Sequence, residues 1–109
     1  MPSGLRAGQM RHQLTIQQDT GTQSTSGEVT PNWTTYSAWW AEIVPLSGGE
    51  AIAARENYGT VTHRLTGRWL SGVTPKMRAI LGSRVFQIDA VLNIGERNRE
   101  LRIFCTEAV

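Results

Sequence analysis

The stretch Trp39-Trp40-Ala41-Glu42-Ile43-Val44-Pro45-Leu46-Ser47-Gly48-Gly49-Glu50 constrains the fold more than any other. It begins as an apolar run fit for a strand and stops at Pro45, which has no amide to donate to a strand ladder. It restarts at Ser47, with Glu50 three residues on. That is the spacing of a capping box, in which the Ser47 side chain accepts from the Glu50 amide and the Glu50 carboxylate reaches back to the Ser47 amide. The short run Glu50–Asn57 (EAIAAREN) then reads as about two helical turns, so a helix is expected over about residues 48–57. The patterns before and after it are those of strands. The chain therefore reads as mainly β, interrupted once by a short helix with its capping pair at Ser47 and Glu50.

The strands follow from period-2 alternation. His12, Leu14 and Ile16 alternate with Gln13, Thr15 and Gln17, a half-buried strand. Residues 19–31 (DTGTQSTSGEVTP) are polar and nearly free of apolar side chains. They read as a loop, long for a compact domain, and long loops tend to be functional or disordered. Asn32 to Val44 carries Trp33, Tyr36, Trp39, Trp40, Ile43 and Val44 over both faces, as expected of a strand sandwiched between layers or covered by another chain. From Tyr58 to Trp69, Val61, His63, Leu65 and Trp69 alternate with Thr60, Thr62, Arg64, Thr66 and Arg68. Gly67, on the apolar side, marks a bulge or a close backbone approach. A turn at Ser71–Pro75 leads to a short strand, Lys76 to Leu81, and Gly82-Ser83 is a two-residue hairpin signal. Arg84 to Leu92 follows, with Phe86, Ile88, Ala90 and Leu92 inward. A turn at Asn93–Asn98 then leads to a last strand, Arg99 to Glu107, with Leu101, Ile103 and Cys105 on one side. The expected fold is a small six-stranded β-barrel or sandwich with one inserted α-helix and a long polar loop. The expected organisation is a flexible N-terminal arm over residues 1–10, anchored by Leu5 and Met10, and a single barrel domain over 11–109.

Composition narrows the function classes. A chain of 109 residues hides roughly 60–70% of its unfolded surface, and 39% hydrophobic residues is low for such a domain. A partner, or copies of the chain itself, would complete it. Four Trp serve either a core or an interface. Ten of the eleven cations are Arg, which suits bidentate pairing across interfaces. A net charge of +2 is mild beside the dense basic patches of dedicated DNA binders. Cys105, alone and on an inward face, reads as inert packing. His12 and His63 have no ligand partners at metal-site spacing, and the carboxylates show no pairing pattern. Leu46-Ser47-Gly48-Gly49-Glu50 looks like the signature of transporter-type ATPases, but no phosphate-binding loop accompanies it. No catalytic, cofactor or metal site is therefore expected, and the chain is not read as an enzyme. The sequence has neither a signal-peptide pattern nor a run of about 18 apolar residues, so no membrane partner is expected. One alternative stays open. Arg64 and Arg68 share a strand face with Thr60, Thr62 and Thr66, which would let a small OB-like module track a nucleic-acid backbone; a solvated outer face is the plainer reading.

The ordered set of pieces carries a resemblance over nearly the whole chain. Arg11-His12-Gln13-Leu14-Thr15-Ile16-Gln17 is followed by a polar loop with Gly27-Glu28, then Trp33, Trp40-Ala41-Glu42-Ile43, Pro45-Leu46-Ser47-Gly48 and the Ala-rich helix. Val61-Thr62-His63-Arg64-Leu65-Thr66, Thr74-Pro75-Lys76-Met77-Arg78, Gly82-Ser83-Arg84-Val85-Phe86-Gln87-Ile88, Ile94-Gly95-Glu96-Arg97-Asn98-Arg99-Glu100-Leu101 and a terminal Cys105-x-Glu107 complete it. This set resembles the head–tail adaptor family of long-tailed phages, also called head–tail joining, head-closure or stopper proteins. The resemblance implies a structural virion protein of the neck, made in the host cytoplasm. It would form a ring, commonly of twelve copies, close the DNA-filled head and offer the tail a docking surface. Implied partners are the portal or adaptor ring, tail proteins, other copies of the chain, and genomic DNA in the channel; the isolated chain is expected to be a monomer. Thr20, Gln23, Ser26, Gly27 and Glu28 become the candidate channel or contact loop, and only Asp19 and Glu28 are charged there, too few for a strong charge gate. Trp33, Trp39, Arg64, Arg68, Arg97 and Arg99 become the candidate subunit or partner interface.

Overall fold

A computed structural model describes residues 8, 10–21, 27 and 31–108. Its elements are β1 (His12–Asp19), β2 (Trp33–Pro45), α1 (Gly48–Tyr58), β3 (His63–Arg68), β4 (Arg78–Leu81), β5 (Arg84–Asn93), a 3-10 turn (Ile94–Glu96) and β6 (Glu100–Glu107). The six strands close into a barrel in the order β1-β2-β3-β6-β5-β4, every pair antiparallel. The seam is β4 on β1, through Thr15–Ile80, Ile16–Ala79 and Gln17–Arg78. The mainly β expectation holds, and the barrel form is the one realised. Leu14, Ile16, Leu65, Phe86, Ile88, Leu101, Ile103 and Cys105 fill its interior at 1% exposure or less.

Strict alternation fails at one position in β5, and the failure builds a second core. Ile88 pairs with Cys105 and Ala90 with Phe104, which leaves Asp89 as the extra residue of a bulge. Beyond it Val91 turns to the barrel interior, while Ala90 and Leu92, expected there, turn outward. They join Leu46, Ala51, Ala54, Val61 and Phe104 in a cluster on the outside of the wall. Helix α1 covers that cluster. Its small Ala51 and Ala54 let the backbone lie close, and Tyr58 stacks on Phe104 with centroids 4.9 Å apart. A second bulge lies in β2. Ile16 pairs with Ser37 and Gln17 with Thr35, so Tyr36 is the extra residue. Its hydroxyl donates to the Ser71 carbonyl at 2.7 Å, over Gly72.

Several local expectations are corrected. The Ser47–Glu50 capping box does not form: Ser47 has extended N-cap backbone but makes no side-chain capping bond. Glu50 instead pairs with Arg64 of β3, because a charge-assisted bond to a guanidinium outweighs one to a neutral amide. The pair ties the first helical turn to the barrel. The helix runs to Tyr58 and stops at Gly59, φ 84°, so the following strand begins at His63 rather than Tyr58. β4 begins at Arg78 rather than Lys76. Of the expected arm over residues 1–10, only Gly8 and Met10 are described, and Met10 is buried. In the 19–31 loop, Gln23, Ser26 and Glu28 lie outside the described residues.

Candidate interaction surface

The adjacent tryptophans divide by strand phase. Trp39, expected at an interface, points inward and is 5% exposed. Its Nε1 donates to the Arg68 carbonyl at 2.8 Å, and its ring lies on Gly67. A Cβ on Gly67 would sit 2.6 Å from Trp39 Cζ2 and 2.5 Å from the Trp40 carbonyl oxygen. The pairing runs unbroken through Gly67 to Ala41 and Leu101, so this glycine marks a close approach and not a bulge. Trp40, one residue on, faces out and is 53% exposed. With Met10, Ala38, Arg68, Trp69, Leu70 and part of Trp39 it lines an apolar cleft of about 530 Å³. The residue pattern missed Trp40 because large groups on both faces of β2 leave the phase of the alternation undetermined.

The β1–β2 hairpin carries the loop on a pinned neck. Asp19 Oδ1 accepts from the amides of Asn32 and Gly21, each at 2.8 Å. Those two bonds hold the carboxyl below its ordinary value. The Thr20 amide donates to the Asn32 carbonyl at 2.9 Å, and Asn32 Nδ2 donates to Thr20 Oγ1 at 3.2 Å. Thr20 thus closes the neck, while Gly27 is an exposed bend with φ 91°. Trp33, half-buried, is braced at the same end: the Arg78 guanidinium lies 4.1 Å from its ring centroid and donates to Gln17 Oε1 at 2.8 Å.

The arginines do not make a cationic track. On the outer wall Arg64 is paired with Glu50, and Arg102 holds Glu100 at 3.3 Å, with the Glu100 side chain 5% exposed. Thr66 is buried between Glu42 and Arg102 in the register, and Thr62 Oγ1 accepts from the Glu107 amide. Acids and bases alternate across this face, whereas phosphate binding needs uncompensated cations. Of the two arginines behind the OB-like reading, Arg64 is therefore compensated. Arg68 is the exception. Its guanidinium has no partner among the described residues, and it stands in the wall of the Trp40 cleft. Arg97 and Arg99 are exposed on the turn between β5 and β6. Asn93 Oδ1 accepts from the Asn98 amide at 3.1 Å and fixes that turn, in which Glu96 and Asn98 adopt left-handed φ of 53° and 56°.

One titratable cluster closes the barrel at the β6 C-terminal end. Arg84 grips Glu107 with two bonds, at 2.8 and 3.1 Å, and Glu107 lies 3.7 Å from His63 Nε2. Desolvation holds His63 below its usual value despite Glu107, and the Arg84 hydrogen bond holds Glu107 low. Burial pushes the Cys105 thiol up to about 12, so it offers no thiolate at neutral pH. Among the described residues no three His, Cys, Asp or Glu gather where they could hold a metal ion. None of the helices described is long and apolar enough to cross a membrane.

These residues form an apolar cleft, a hydrogen-bonded hairpin neck and an exposed turn on a closed barrel. No curated protein matches the chain. The solution structure of a Shigella flexneri 2a protein is 26% identical, with a TM-score of 0.76 over 96% of this chain and 98% of that one. A chain in the virion of a native gene transfer agent particle shares the fold at 23% identity, with a TM-score of 0.66 over 91% of this chain and 96% of that one. The family model described as phage head completion protein matches residues 5–108, which include every strand of the barrel. The chain belongs to the phage head completion protein family.

Proposed function

We propose that this head completion protein acts as a ring at the head–tail connector, closing the DNA-filled head and presenting the surface on which the tail docks. The family match over residues 5–108 carries the reading, since it gives the chain a structural role at the phage head. The gene transfer agent relative, itself a virion chain, has the same fold. The geometry supports assembly through side chains. A closed barrel leaves no unpaired edge for strand addition, so neighbours must be met by surfaces such as the Trp40 cleft, the Arg97–Arg99 turn and the hairpin loop. The portal or adaptor ring lies on one side in this reading and tail proteins on the other, with twelve copies around the DNA channel and loop 19–31 directed at the channel or at a neighbour. A weak contact between copies suffices, because assembly on a preformed ring supplies avidity. The purified chain is then a monomer. Electron microscopy of lysates from phage with a stop codon at Trp33 tests the role. DNA-filled or leaking heads lying apart from complete tails are expected; joined, infectious particles would contradict it.

A further inference from the structure

Two exposed features have no partner among the described residues, and they complement each other. The first is the apolar cleft of Ala38, Trp39, Trp40, Trp69 and Leu70, with the unpaired Arg68 in its wall. The second is the outward face of α1. Ala51 and Ala54 face the barrel, so Gly49, Ile52, Ala53 and Glu56, spaced three and four apart, share the opposite face. Ile52 is 61% exposed, and its neighbours Gly49 and Ala53 are small, which leaves it standing as a knob. One turn further on, Glu56 is exposed, and its carboxylate has no partner among the described residues.

The knob and the cleft of one chain lie apart. The helix is anchored at Arg64, whereas the cleft lies at Arg68, four residues along β3 and so roughly 13 Å away. One copy can therefore offer its knob to one neighbour and its cleft to the other. That is a heterologous contact, the kind that closes into a ring when its rotation permits. We propose that Ile52 of each copy seats in the Trp40 cleft of the next, with Glu56 meeting Arg68, and that this is the contact between subunits of the ring. The inference rests on the ring reading above. It adds which two faces meet, and the charge match favours a second copy as the occupant: the free acid flanks the knob and the free base flanks the socket.

The test uses assembled particles carrying Ala38→Cys together with Ile52→Cys, oxidised and run without reductant. Cys105 is fully buried and does not interfere. A ladder of disulfide-linked multimers beyond the dimer is expected. If the ladder is missing while cryo-EM of the neck of wild-type particles shows a ring of this barrel, the ring exists but uses other faces, and this inference falls alone. If the neck of wild-type particles holds no ring of this barrel by cryo-EM, the ring reading itself falls. Should the cysteine pair fail to enter particles, charge reversal decides. Glu56→Arg and Arg68→Glu should each lower infectious titre at least tenfold, and the double reversal should recover most of it. A double variant no better than either single one would overturn the pairing.

Discussion

At Gly67 the missing side chain is what allows the Trp39 indole to lie on the β3 backbone and reach the Arg68 carbonyl. Gly67→Ala would force atoms into contacts of 2.5–2.7 Å with the Trp39 ring and the Trp40 carbonyl. A loss of about 1–3 kcal/mol is expected for such overpacking, measurable as a lower urea midpoint with unchanged slope. Asp19 offers a second test. Its folded value lies below 3.8, so the stabilisation of the neck is complete above 3.8 and is lost as pH falls through the folded value. An NMR titration should show the Gly21 and Asn32 amides moving with the Asp19 carboxyl, and Asp19→Ala should speed hydrogen exchange at Asn32. At this scale the sequence was legible where a residue acts through its own backbone, as at Gly67. It was not legible where a distant partner competes: Glu50 has the local spacing of a cap, yet Arg64, fourteen positions later, takes it.

Helix α1 depends on one face. Its barrel side packs Ala51, Ala54 and Tyr58 over Phe104, and its other side carries Ile52 into solvent. Phe104→Ala should therefore cost about 3–5 kcal/mol, while Ile52→Ala in the isolated chain should stay within about 0.5 kcal/mol. Thermal or denaturant melts of the two variants check the contrast. A large loss from Ile52→Ala would mean that the helix packs with its other face. The strands themselves were legible because period-2 alternation reports burial directly. The outer cluster was not, because a single extra residue at Asp89 reverses the facing of Ala90 and Leu92, and nothing in the local pattern marks it.

For the whole molecule, acid sensitivity runs through the His63–Glu107–Arg84 cluster, which joins β3, β5 and β6. His63 is held below 6.5 in the folded chain, so the unfolded chain binds its proton more readily, and stability falls as pH drops from 6.5 to the folded value. Glu107, held below 4.5, adds a second loss as pH falls through its own folded value. Melting temperature should thus decline in two steps on acidification, and His63→Gln should remove the first and spare the second. The order of elements made the barrel and its family legible in the sequence. The faces that meet partners were less so, because choosing Trp40 over Trp39 requires the register of β2 on β1 and β3. A cryo-EM reconstruction of the neck of complete particles would show whether the chain forms a ring there. A symmetric ring between portal and tail is expected, its repeating density fitting the six-stranded barrel with α1 against the adjoining copy. A neck with no density that fits this barrel would contradict it.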